Sequence, residues 1–186
     1  RWKRTYQPGI WLQSVGGHFS HNHLHDAPHF GMEAKFSDGN VYSYNLFERL
    51  CQESGDSGAF YTGRSWVDRG NTLIGNTFIE IHNTGPLIQL QQPNTHAIHF
   101  DDQMSGHKVV ENLFINCQAG VRLGGGRDTT ITGNRFHNVS YGVHFDNRGM
   151  KKQKGLPPCA FNASWMNAGC RECCQTVVLN VQTVLA

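Results

Sequence analysis

No apolar run in the 186 residues approaches the length of a membrane-spanning helix, so no segment reads as one. A surplus of either charge is also missing: 16 basic side chains nearly cancel 14 acidic ones, which argues against a dedicated nucleic-acid binder. The 11 histidines turn the surface clearly cationic only below about pH 6 to 7. The glycine run Gly124-Gly125-Gly126 is followed by no Lys-Ser/Thr pair and no helical pattern, which excludes a phosphate-binding loop. A complete zinc set is lacking too. Cys170, Cys173 and Cys174 supply three thiolates, and only Cys159, across an unpatterned stretch, is left for a fourth ligand. Disulfides in a secreted chain are the other reading of these cysteines, and the sequons at Asn138 and Asn162 are compatible with it. There is no initiator Met and no signal peptide, as in a processed or partial chain. Neither a cofactor nor a metal is expected, and oligomeric state is not readable.

What is present is a repeat. Five segments align on an Asn followed two residues later by Leu or Phe: Asn22/Leu24, Asn45/Phe47, Asn76/Phe78, Asn112/Phe114 and Asn134/Phe136. Three positions before each Asn stands Phe19, Tyr42, Leu73, Val109 or Ile131, and five positions after it Ala27, Leu50, Ile81, Cys117 or Val139. Columns of this kind are what stacked coils need, since each strand buries one face against the coils above and below. The Asn tolerates a left-handed bend, and its amide can hydrogen-bond the equivalent Asn one coil away. The fold expected is all-β, a right-handed parallel β-helix over residues 1–150, incomplete at one or both ends. Residues 151–186 read as a Lys- and Pro-containing linker and a Cys-rich tail or cap ending in the strand-like run 176–186.

A second strand column aligns Gly31-Met32-Glu33-Ala34, Gly58-Ala59-Phe60-Tyr61, Ala97-Ile98-His99-Phe100, Gly120-Val121-Arg122-Leu123 and Gly142-Val143-His144-Phe145. Period-two alternation puts Met32, Ala59, Ile98, Val121 and Val143 inside, and Glu33, Phe60, His99, Arg122 and His144 outside. That outer row reads as a binding groove, with inserts after Arg64 and Ile81 as loops beside it. Immediately after the strand, Asp101 aligns with Thr62, Gly124 and Asp146, and Asp102 with Gly63, Gly125 and Asn147. With coils about 4.8 Å apart, Asp101 and Asp146 should lie roughly 10 Å from each other across the glycine coil. Paired carboxylates at such a gap suit glycosidic hydrolysis with an inserted water. Adjacent Asp101 and Asp102 could raise one pKa toward that of a general acid, and the three glycines leave room for a sugar ring. Asp56, before the same strand, is a further carboxylate. The competing reading is that these Asp and Gly residues are only bend formers. Arg127 could grip an acidic sugar or simply pair around Asp128. His23, His25 and Asp26 share a short extended segment, where sugar contact competes with a metal.

His25-Asp26-Ala27-Pro28-His29, Asp56-Ser57-Gly58-Ala59-Phe60-Tyr61-Thr62-Gly63-Arg64, Phe100-Asp101-Asp102-Gln103-Met104-Ser105-Gly106 and Gly124-Gly125-Gly126-Arg127-Asp128 together resemble right-handed parallel β-helix repeat proteins of the carbohydrate-active type, including the fucosidase and xylanase-like glycoside hydrolases. The resemblance covers about residues 15 to 150. It implies a polysaccharide or oligosaccharide partner and catalytic carboxylates among Asp56, Asp101 and Asp102.

The expected function is a secreted or extracellular glycoside hydrolase. Asp56, Asp101, Asp102 and Asp146 are the candidate acids, and Glu33, Phe60, Tyr61, Arg64, His99, Arg122, Arg127 and His144 the sugar contacts. One alternative is a polysaccharide lyase in which Arg122 or Arg127 neutralises a uronate while His99 or His144 takes a proton. The other is a non-catalytic glycan-binding or structural module that relies on Phe60, Tyr61 and Trp66.

Overall fold

The fold was analysed in a computed structural model that describes residues 6–53, 55–65, 67–85 and 94–146, with the backbone of Val177–Thr183. The linker at 151–155, the cysteines from 159 to 174, Asn147, Asn162 and Trp66 lie outside the described residues. Every strand pairing among the described residues is parallel, and the strands fall into three ladders. The first is β1 (Ile10–Leu12), β4 (Met32–Ala34), β7 (Ser57–Thr62), β10 (Thr95–Phe100), β13 (Val121–Leu123) and β15 (Val143–Phe145). The second holds β2 (His18–Ser20), β5 (Val41–Ser43), β8 (Thr72–Ile74) and β11 (Lys108–Val110). In the third lie β3 (His23–His25), β6 (Leu46–Glu48), β9 (Thr77–Ile79) and β12 (Leu113–Ile115). The longer β14 (Thr129–His137) continues both the second and third ladders, and β16 (Val177–Thr183) lies beside it. Successive coils thus climb one cylinder, as the Asn repeat requires.

The repeat columns are the core. Phe47, Phe78, Phe114 and Phe136 stack face to face at 4.7, 5.0 and 4.7 Å. Tyr42, Leu73, Val109 and Ile131 fill one inner row, and Leu50, Ile81 and Cys117 another. Burying each such side chain contributes roughly 1.5–3 kcal/mol. Cys51 and Cys117 are reduced and buried, and burial pushes both thiols up to about 12, so they behave as apolar filler rather than nucleophiles.

The Asn column works as expected in one respect and differently in another. Asn76 Oδ1 accepts from Asn45 N and Nδ2, both at 2.9 Å, while Asn76 Nδ2 donates to Tyr42 O and to Asn112 Oδ1, also at 2.9 Å. The same bonds link Asn22 to Asn45 and Asn112 to Asn134. The left-handed bend, however, belongs to the residue before each Asn: His21, Tyr44, Gly75, Glu111 and Gly133. Each Asn keeps an ordinary backbone and spends its side chain on the ladder. A shorter amide ladder, Asn40 to Asn71, closes another corner of the coil.

The second strand column needs one correction. Met32 pairs with Phe60, and Phe60 with Ile98, so Phe60 rather than Ala59 continues the inward row of Met32, Ile98, Val121 and Val143. Phe60 is 1% exposed and packs edge-on against Tyr42 and Phe100, which removes it from the expected sugar contacts. The alignment slipped because Ala59, not Gly58, fills the small-residue slot shared with Gly31, Ala97, Gly120 and Gly142. Gly58 is small for another reason: a Cβ there would lie 2.7 Å from His99 Cβ.

Candidate active site

Restoring the register gives the outer row of the first ladder as Trp11, Glu33, Tyr61, His99, Arg122 and His144. Asp101 then lies beside Gly63 rather than Thr62, its N–H donating to Thr62 O at 2.9 Å, and Asp102 lies beside Arg64. Towards the following coils the expected alignment holds, with Gly124 bonded to Phe100 O and Asp146 to Leu123 O.

Asp56 precedes β7 and Asp101 follows β10, and their carboxylates converge on His99 between them. One atom from each of Asp56, His99 and Asp101 lies within 4.8 Å of the other two. Tyr61 Oη donates to Asp101 Oδ2 at 3.0 Å, and His99 Nε2 stands 3.5 Å from Asp101 Oδ1. The Tyr61 hydroxyl is pushed far above its usual range, first by burial and then by the negative Asp101, so it remains a proton-bearing donor. His99 is fully buried, and neither ring nitrogen has a hydrogen-bond partner. Gly63 keeps the corner open, because a Cβ there would meet Tyr61 Oη at 2.8 Å and Asp101 Cβ at 3.1 Å. Asp56 is exposed, and its Oδ1 accepts from Asn94 Nδ2 at 3.0 Å. Asn94 Oδ1 in turn accepts from Arg122, whose other nitrogen donates to Asp146 Oδ2 at 3.0 Å.

The other candidates fall elsewhere. Asp102 has a left-handed backbone and pairs with the exposed Arg64 at 3.1 Å. Asp146 accepts from Arg122 at 3.0 Å, whereas Asp56 is the carboxylate that clusters with Asp101 and His99. Glu33 holds Lys35 at 2.5 Å. Arg127 leans on Asp128, which also accepts from Arg69. Gly126 is small because of the backbone rather than a sugar: its Cβ would sit 1.8 Å from Met104 O. His23 and His25 join Glu48, Asp26 and Arg49 in an exposed charge network on the third ladder. There Arg49, then His25, hold the Asp26 carboxyl well below its usual range.

Asp56, His99 and Asp101 are also the set that could hold a divalent cation, with two oxygens and one nitrogen. Residues that sequence reasoning missed are Asn94, which ties Asp56 to Arg122, and His96, whose ring lies 5.3 Å from that of His99. The parity of a straight strand puts residues 96 and 99 on opposite faces, so alternation alone does not bring them together.

A family model described as "right handed beta helix region" matches residues 3–152. The chain belongs to the right-handed β-helix family. Neither a curated protein nor a solved structure gave a match. Carbohydrate-active proteins fit within this family generally.

Proposed function

We propose that this β-helix protein is a secreted glycoside hydrolase of the retaining type, acting on a polysaccharide or oligosaccharide with Asp56 and Asp101 as its catalytic pair. The observation that carries the reading is the approach of the two carboxylates to within 4.8 Å beside Tyr61 and His99. Carboxyl groups about 5–5.5 Å apart leave no room for a water between acid and sugar, so one of them must attack. Asp101 suits attack, since the Tyr61 hydroxyl orients it and maintains it as an acceptor. Its carboxylate forms a bond to the anomeric carbon as the glycosidic C–O bond breaks, and Asp56, as the general acid, delivers a proton to the departing oxygen. Asp56, exposed at the mouth, then takes a proton from an incoming water, whose oxygen displaces Asp101 from the sugar.

The test is release of reducing ends from a panel of neutral and acidic polysaccharides, with ultraviolet absorbance followed in parallel and Asp101→Asn as control. New reducing ends without absorbance, lost in the variant, support hydrolysis. An absorbing unsaturated product means elimination by a lyase. No product from any glycan, with a folded protein, means a binding module.

A further inference from the structure

Beside the carboxylate pair, towards β15, lies a cavity of about 690 Å3 that the catalytic reading does not use. Asn94, His96, Gln118, Arg122, Tyr141 and His144 line it. Three of these side chains carry a buried polar atom that nothing hydrogen-bonds: His96 Nδ1, Gln118 Oε1 and Arg122 Nε. At the rim, Tyr141 is 65% exposed, its ring 6.2 Å from that of His144. The cavity is tied to the acids through Asn94, which lines it and donates to Asp56.

We infer that this cavity is a subsite for a neutral sugar unit of the substrate, next to the scissile bond on the Asp56 side; the inference rests on the hydrolase reading. A sugar hydroxyl both donates and accepts, which matches a lining with an unpartnered guanidinium N–H and an unpartnered amide oxygen. The exposed Tyr141 offers the flat apolar surface on which a pyranose face packs. Charge sets the class. Arg122 is the one permanently charged lining residue among those described, and Asp146 neutralises it at 3.0 Å. Burial holds His96 down at about 2, so that ring is neutral at ordinary pH. With the Asp101 carboxylate nearby, a uronate carboxylate entering here meets repulsion, and the described lining residues offer no permanent cation beyond the Asp146-paired Arg122 to answer it.

The test is binding of an array of neutral oligosaccharides (gluco-, xylo-, manno- and fucosylated) and of oligogalacturonate and alginate fragments to the Asp101→Asn protein, with and without Tyr141→Ala or Gln118→Leu. Neutral glycans are expected to bind in preference to the uronates, and Tyr141→Ala should weaken them about fivefold to tenfold. Preference for uronates, neutral binding indifferent to both pocket variants, or no glycan bound at all overturns the assignment. The two readings fail separately: glycan binding that depends on Tyr141, in a wild-type protein that releases no reducing ends, removes the hydrolase and keeps the subsite.

Discussion

Two rows of side chains run the length of this β-helix, and they are built on opposite rules. At the corner between the second and third ladders the same residue recurs, from Asn22 through Asn134, and every amide finds its neighbour one coil away. On the outer face of the first ladder each rung differs from the next: Trp11, Glu33, Tyr61, His99, Arg122, His144. Here the buried ring nitrogens of His99 and the Nε of Arg122 have no hydrogen-bond partner. Repetition lets identical groups satisfy one another at a fixed spacing, so it marks the scaffold. A row that abandons repetition and tolerates unpaired polar atoms has been shaped by something other than stacking.

The largest effect expected from this contrast is on activity. Asp101→Asn should lower kcat by roughly a hundredfold to ten-thousandfold while the melting temperature stays near that of the wild type; equal losses in both would make Asp101 a structural residue like the ladder amides. Asn76→Ala should do the reverse. It leaves the Asn45 N–H, the Tyr42 carbonyl and the Asn112 amide oxygen short of a buried partner, at a cost of about 3 kcal/mol in denaturant unfolding. Loss of less than about 1 kcal/mol would mean that the ladder is decorative.

A smaller effect concerns acid. His96 and His107 are buried and held at about 2 and about 3, chiefly by burial, against an ordinary 6.5. Below pH 6.5 the unfolded chain takes up protons that the folded chain refuses, so stability falls as pH is lowered from there towards the folded values, by up to about 1.4 kcal/mol per pH unit for each ring. His107 stacks on Phe100 at 4.8 Å, and His107→Phe should flatten that part of the profile when melts at pH 7, 6, 5 and 4 are compared with wild type. An unchanged profile would assign the acid lability to other groups. The smallest effect is expected at Asp102. Its partner Arg64 is exposed, such pairs contribute about 0–1 kcal/mol, and Asp102→Asn should leave turnover within a few-fold. A collapse of activity would move the catalytic role from Asp101 to its neighbour.

The scaffold was legible in the sequence because the Asn and its flanking apolar positions keep register through coils of different length. Asp56 and Asp101 could be named as acids for the same reason, each flanking a recognisable strand. Their pairing was legible only as one option, with Asp146 the other partner open to Asp101. It depends on the register of one coil, where Gly58 serves His99 and Ala59 takes the place expected of glycine, so the row slips by one residue. Simple alternation therefore turns the inward Phe60 outward and takes Tyr61 from its place between Glu33 and His99. Nor could alternation place His96 beside His99, because it assigns residues three apart to opposite faces, whereas their rings lie 5.3 Å from each other.

The measurement that most directly tests the central claim is the anomeric configuration of the first-formed product, read by proton NMR during hydrolysis of a neutral glycan that the wild-type enzyme cleaves. An Asp56–Asp101 pair this close requires net retention, with the signal absent in Asp101→Asn. Inversion, or retention that persists in Asp101→Asn, would contradict it.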